Sequence, residues 1–335
     1  MPSYPNRGLT NSELIEYLEL PEDILTALAT AQGSTYTAAR NEFLEALYNK
    51  VLYSRVESMD FTNPFKKYDS YPVNFGDTIE NIFVEVPKGY AFDKDADDPF
   101  TKVVPSVKAL YASINYELQY QTTIQDALLR RAAINDYGFM NLIDTILASL
   151  TKAMSLDEYN ATRYMLGNMD IYSETTQITR GSDDTTTAKA ITKAIAECVS
   201  QMKLPMTANN KLGVLNMSKP ENLLLIMKYG IKNSIDFDYL SGVYNLDKVS
   251  IIDNIIEVDG FQVARPGEQG AEIEGEDLDF VIIDTSGFDC HVALQDGGMI
   301  YNPKGKYTNH FLNLWKIVSF KTFANARAFK LVDGE

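Results

Sequence analysis

Met299-Ile300-Tyr301-Asn302-Pro303, then Asn309-His310-Phe311-Leu312-Asn313-Leu314-Trp315, then Ser319 and the run Phe323-Ala324-Asn325-Ala326-Arg327-Ala328-Phe329 lie near the end of the 335-residue sequence. Aromatic and apolar residues alternate here with small and amide ones, the pattern a half-buried strand requires. No group in the stretch is arranged to perform a reaction. Its surface builds contacts, which sets the expectation for the rest of the chain.

Working outward, helices and strands are mixed. A short helix is expected near Ser12–Leu20 within a polar, acidic arm, and a clear one from Arg40 to about Ser58, where Phe43, Leu44, Leu47, Val51 and Leu52 recur at helical spacing. Leu142, Ile143, Ile146, Leu147, Leu150 and Met154 form one stripe of a long helix running to about Leu166, with Gly167 as its cap. Ala188–Met202 is a further helix behind a Thr/Asp/Gly-rich break at Thr175–Thr187. Val107–Tyr120 reads as one strand, followed by a helix opened by Thr122 and Thr123. Leu212–Met217 reads as a buried strand and Glu221–Tyr229 as a helix started by Pro220. A short helix at Asp236–Tyr244 precedes strands at Val249–Val258, Phe261–Ala264, Phe280–Asp284 and Cys290–Leu294, with turns expected at Asp259-Gly260, Arg265-Pro266-Gly267 and Asp296-Gly297-Gly298. The class is α+β.

Between Phe61 and Pro105 the character changes. Pro64, Pro72, Gly76, Pro87, Gly89 and Pro99 punctuate short alternating runs such as Asn81-Ile82-Phe83-Val84-Glu85-Val86. Such a stretch cannot stay helical. It reads as an extended hairpin or loop of about 40 residues, a length that is usually functional or disordered. Its aromatics argue against disorder. Phe65, Tyr68, Tyr71, Phe75, Phe83, Tyr90 and Phe92 are therefore candidates for contacts with a partner.

Composition narrows the function classes. Hydrophobic residues make up 45% and charged residues 23%, with a formal charge of −16. The mean hydropathy is −0.19. No apolar run reaches the roughly 18 residues of a membrane span, and the first residues lack the layout of a signal peptide, so cytoplasmic synthesis is expected. An acidic chain is poorly suited to grip phosphates. The balance suits either solubility or residence beside nucleic acid without adhesion.

Reactive groups are few. Cys198 and Cys290 sit in apolar contexts and read as buried thiols. His291 and His310 have no Cys pair or carboxylate at zinc-ligand spacing. Asp93-Lys94-Asp95-Ala96-Asp97 begins like a calcium loop, but Asp98 stands where the loop needs glycine and Val104 where it needs an acid. Phosphate-cradling glycine loops and the nucleophile elbow are absent. No cofactor, no metal and no catalytic residue is expected.

The order of these features resembles the major capsid proteins of tailed bacteriophages, specifically those of small short-tailed phages of Gram-positive bacteria. Asn63-Pro64-Phe65, Gly76-Asp77-Thr78-Ile79-Glu80-Asn81-Ile82-Phe83, Asp98-Pro99-Phe100, Gln119-Tyr120-Gln121-Thr122-Thr123-Ile124 and the block from Tyr301 to Phe329 carry the likeness. The resemblance implies the capsid shell fold in four parts. Residues 1–61 would be an N-terminal arm with its helix, and 62–105 an extended loop lying across a neighbouring subunit. Residues 106–185 with 300–335 would be a peripheral domain carrying the spine helix, and 186–299 an axial α/β domain. It implies self-assembly into pentamers and hexamers of an icosahedral virion shell around double-stranded DNA, without sequence-specific DNA binding and without a membrane. It also implies a portal and, as no scaffolding segment is seen at the N-terminus, a separate scaffolding protein. No Ig-like decoration domain is seen after the closing strand. A non-viral nanocompartment shell, a phage tail or connector protein, and a soluble enzyme with an unrecognised site are the alternatives.

Overall fold

The computed structural model describes residues 10–53, 61–89, 104–134, 138–231, 255–268 and 272–333. In chain order the elements are helices α1 (Asn11–Tyr17), α2 (Ile24–Thr30) and α3 (Gly33–Tyr53), then strands β1 (Ile79–Val84), β2 (Val107–Ala112) and β3 (Tyr116–Gln125). Helices α4 (Asp126–Ile134) and α5 (Gly138–Leu166), strand β4 (Thr175–Thr179) and helix α6 (Asp184–Met202) follow. The last are strands β5 (Leu223–Lys228), β6 (Ile255–Val258), β7 (Val263–Ala264), β8 (Ile273–Glu274), β9 (Phe280–Asp284), β10 (Phe288–Asn302), β11 (Tyr307–Phe320) and β12 (Ala326–Val332). The chain divides into two compact units, one of Met1–Asn63, Glu117–Glu158 and Leu294–Trp315, the other of Pro64–Tyr116, Tyr159–Ala293 and Lys316–Glu335.

In the first unit the arm is folded. Thr10 opens α1 with a reciprocal cap: its N–H donates to Glu13 Oε2 at 2.8 Å, and the Glu13 N–H donates to Thr10 Oγ1 at 3.4 Å. Ile15, Leu18, Ile24, Leu28, Phe43 and Leu44 bury one face against Ile124, Leu129, Leu150 and Leu312. Helix α3 starts at Gly33 (φ +64°), earlier than the apolar stripe suggests. Thr35 and Thr37 are weak helix formers, but burial of Tyr36 and Ala39 overrides them. Arg40, also buried, lies over the Tyr301 ring at 3.5 Å and 3.7 Å from Asp126 Oδ2. Tyr301 donates from its hydroxyl to the same carboxylate at 3.1 Å.

The second unit is built on a mixed sheet in the order β4-β12-β9-β5-β6. β12 runs parallel to β4 and antiparallel to β9, and β5 runs antiparallel to β9 and parallel to β6. Helix α6 packs Ile191, Ile195, Cys198, Val199 and Met202 on Leu223, Leu225, Met227, Phe280, Ile282 and Phe329. Asp183 caps that helix, accepting from the Thr186 N–H at 2.7 Å. Helix α5 ends at Leu166, and Gly167 is required there by a close approach: a Cβ would lie 2.4 Å from the Phe261 carbonyl oxygen.

Several local expectations are corrected. Glu221–Tyr229 is not a helix: Pro220–Asn222 makes one 3-10 turn, and Leu223–Lys228 is a strand buried on both faces. A continuous apolar run has no period by which to tell the two apart. Leu212–Met217 is a loop, with Gly213 at φ +63° and Leu215 and Met217 exposed. Val107–Tyr120 is two strands split at residues 113–115, where Asn115 donates from Nδ2 to the Val318 carbonyl and accepts from the Val318 N–H. Thr122 and Thr123 continue β3, and helix begins only at Asp126. Asp296-Gly297-Gly298 lies inside β10. The turn is at 303–306, where Asn302 Oδ1 accepts from the N–H groups of Lys304 and Gly305. Thr175–Thr179, read as part of a break, is strand β4. The helix expected at Asp236–Tyr244 and the start of Val249–Val258 lie outside the described residues.

Candidate intersubunit surface

Residues 61–89 begin as a loop laid along β10. Ser70 donates its N–H to the Cys290 carbonyl at 2.8 Å, and Val73 to that of Val292 at 3.0 Å. These bonds are strand-edge contacts, and they hold residues 70–73 without a strand of their own. Phe65 is 3% exposed and stacks on Tyr159 with ring centroids 5.9 Å apart, and Tyr68 stacks on Phe288 at 5.0 Å. Both rings are thus packed within their own chain.

One ion pair and one hydrogen-bonded charge cluster fix the segment. Lys316, almost fully buried, places Nζ 2.8 and 2.9 Å from the two oxygens of Asp69. Asp289 is the second node. His291 Nε2 lies 3.2 Å from its Oδ1, Lys321 Nζ lies 3.5 Å from the same oxygen, and Asn81 donates from Nδ2 to Oδ2 at 2.7 Å. The other His291 nitrogen, Nδ1, is 2.8 Å from the Tyr71 carbonyl, which can only accept, so Nδ1 carries a proton. Burial pushes the Cys290 thiol between these nodes up to about 12, which leaves it unreactive.

From Ile79 the chain enters an antiparallel hairpin in which Asn81 faces Leu110, Ile82 faces Ala109, Phe83 faces Lys108 and Val84 faces Val107. Alternation gives it two different faces. The inner face is occupied: Phe83 packs on Phe323 at 5.3 Å, Asn81 reaches Asp289, and Lys108 donates to the Leu212 carbonyl at 2.9 Å and pairs with Glu85 at 3.3 Å. The outer face holds Ile82, Val84, Val107 and Tyr111, each more than half exposed. Tyr111 donates to Glu80 Oε1 at 2.8 Å, and that bond raises the phenol above its ordinary range.

Of the sequence candidates, Phe65 and Tyr68 meet at Phe288 and Phe83 packs separately on Phe323, all within their own unit. Tyr71 and Phe75 are 68% and 61% exposed, with Tyr71 presenting its ring edge-on to His291 at 4.9 Å between centroids. Tyr90 and Phe92, with the acidic run Asp93–Asp98, lie outside the described residues. Sequence reading overlooked the aliphatic outer face, because it ranked aromatics first. The alternation of Ile82 and Val84 with Asn81 and Phe83 was the available signal. Among the described residues no group of three or more His, Cys, Asp or Glu side chains could hold a metal. No helix among them is long and apolar enough to cross a membrane.

A mixed sheet backed by one helix, a three-stranded sheet in the order β10-β11-β3, a long spine helix and a hairpin with a bare apolar face together define a phage capsid shell architecture. The fold is similar to that in the capsid structure of Staphylococcus phage Andhra, with a TM-score of 0.61 at 12% identity over 83% of this chain and 88% of that one. At that identity the likeness concerns the fold alone. The family described as Phi29-like phage major capsid protein matches residues 21–330, and the chain belongs to that family. It is 28% identical over 298 residues to the major capsid protein of Bacillus phage B103, covering 87% of this chain and 63% of that protein. It is 26% identical over 315 residues to the major capsid protein of Streptococcus phage Cp-1, covering 89% of this chain and 84% of that protein. The chain therefore spans less than two thirds of the length of the Bacillus phage relative.

Proposed function

We propose that this chain is the repeating subunit of an icosahedral virion shell, assembled in the host cytoplasm as pentamers and hexamers and enclosing double-stranded DNA. Family membership supports the reading. The observation that carries it is the hairpin of Ile79–Val84 and Val107–Ala112, whose inner face is fixed to its own chain while Ile82, Val84, Val107 and Tyr111 face outward uncovered. A contiguous exposed apolar strip of this kind marks an interaction surface. The role is structural, and binding to DNA is confinement rather than recognition, in keeping with a charge of −16.

Within this reading the parts are an arm (1–61), an extended loop (62–105) that reaches a neighbour, a peripheral domain (106–185 with 300–335) and an axial domain (186–299). Tyr71 and Phe75 at the loop and the outer face of the hairpin are its foremost contact residues; Phe65, Tyr68 and Phe83 hold the loop in place behind them. A separate scaffolding protein and a portal complete the assembly. Negative-stain electron microscopy of the purified chain, with and without a co-expressed scaffold, tests this. Closed particles of uniform size are expected. Rings, or monomers under every salt condition even with scaffold, would overturn it.

A further inference from the structure

Residues 203–219 form a basic island in an acidic chain: Lys203, Lys211 and Lys219 with no acid among them, the first acid beyond being Glu221. The same loop exposes Leu204, Leu215 and Met217, at 57%, 44% and 56%. Its path is fixed by hydrogen bonds. Met206 and Asn216 exchange backbone bonds at 3.1 and 3.3 Å, and Ser218 donates its N–H to the Met202 carbonyl at 2.8 Å, which lays segments 202–206 and 216–218 side by side. Beneath them the buried Asn210 donates from Nδ2 to the Val214 carbonyl at 2.7 Å and accepts from the Val214 N–H at 2.9 Å. Asn325 donates to Ser218 Oγ at 2.9 Å, and Asn216 to the Phe323 carbonyl at 2.8 Å. An irregular loop held this firmly presents apolar side chains at little ordering cost, as a receiving surface requires.

We infer that this lysine-rimmed apolar loop is the seat for the outer face of the β1–β2 hairpin of a second copy of the chain. The inference rests on the shell reading and adds the receiving surface. Three observations select that occupant. Among the described residues of the two strands, the outer face is apolar and carries no cation: Ile82 and Val84 stand across from Ala109 and Val107 with Glu80 at one end, while Lys108 points to the inner face. Lys211 and Lys219 supply the opposite sign to Glu80 and Asp77, so the charges set the register over an apolar centre. The two patches also differ from each other, so the contact is heterologous, the kind that closes rings of five or six rather than two-fold pairs.

The test is disulfide trapping between two singly substituted chains, Val84→Cys and Met217→Cys, co-assembled and exposed to a mild oxidant. The native Cys198 and Cys290 are both buried and do not compete. A non-reducing gel should show covalent dimers in assembled particles from the mixture and none from either variant alone. A matching pair of charge variants serves as the second reading. Lys219→Glu and Glu80→Lys should each lower particle yield several-fold, and a chain carrying both should regain most of it. Particles that form from the mixture without cross-linked dimers, and with no rescue by the double exchange, would overturn this seat while leaving the shell reading intact. Absence of closed particles from the unsubstituted chain under any condition would overturn both.

Discussion

Asp69 and Lys316 show how much one pair of atoms decides. Lys316 is 3% exposed and its ammonium is held 2.8 Å from Asp69. Removing one partner of a buried pair leaves a desolvated charge behind, whereas removing both leaves none. Asp69→Ala is expected to lower unfolding free energy by about 3–5 kcal/mol, measured by denaturant titration. Asp69→Leu combined with Lys316→Met should recover most of that loss, and a double variant as unstable as the single one would contradict the argument. Lys66, 3.2 Å from the same carboxylate but well exposed, should matter far less, because surface pairs contribute about 0–1 kcal/mol. His310 is a second residue with a readable consequence. Burial pushes its imidazole from 6.5 down to about 4, so the unfolded chain takes up a proton between those values and the folded chain resists it. Stability should therefore fall as pH drops from about 6.5 toward 4, by roughly 2 kcal/mol between pH 7.5 and 5. Thermal melts of His310→Gln should show a shallower acid slope; parallel curves for the two proteins would remove His310 as the cause.

At the level of elements, amphipathic helices were legible, whereas fully buried segments were legible only in part: Phe280–Asp284 reads as the strand it is, and Leu223–Lys228 does not. Helix α6 announced itself because Ile191, Ile195 and Met202 recur at helical spacing with polar residues between them. The strand Leu223–Lys228 did not, because burial on both faces erases the period that marks a strand, and Pro220 supplied a misleading helix start. Gly297-Gly298 inside β10 misled in the other direction: two glycines suggest a turn, but pairing with β11 carries the strand through to Asn302. The candidate surface was legible in half. The alternation of β1 was visible, but its partner 107–112 lies across an intervening stretch whose length hides the register. That register now separates the two faces experimentally. Val84 and Val107 stand opposite each other on the outer face, so Val84→Ser with Val107→Ser should leave the melting temperature nearly unchanged. The same pair should raise the critical concentration for assembly at least about tenfold, some 1.4 kcal/mol. Phe83→Ser, on the inner face against Phe323, should instead destabilise the subunit itself. Normal assembly by the double serine variant would show that the outer face is not a contact.

For the whole molecule the question is how subunits of like charge gather. Each carries a formal −16, and in the proposed shell every subunit would be surrounded by others, so long-range repulsion would accumulate with each neighbour added. The proposed contacts between Lys211 or Lys219 and Glu80 act the other way, but exposed pairs contribute about 0–1 kcal/mol each and salt weakens them as well. Two opposing salt effects follow, and their sizes differ. Screening relieves a repulsion summed over the whole acidic surface, whereas it weakens only a few local attractions, and the apolar centre of the contact is untouched by it. The balance favours assembly as ionic strength rises from about 0.01 M, where charges interact over roughly 30 Å, to about 0.15 M, where they interact over roughly 8 Å. Light scattering across that range should show the critical concentration falling. Above it the curve should flatten, because the remaining interactions are shorter than the screening length. A critical concentration that instead climbed steadily with salt would mean that ion pairs, rather than the apolar strip of the hairpin, hold the subunits together.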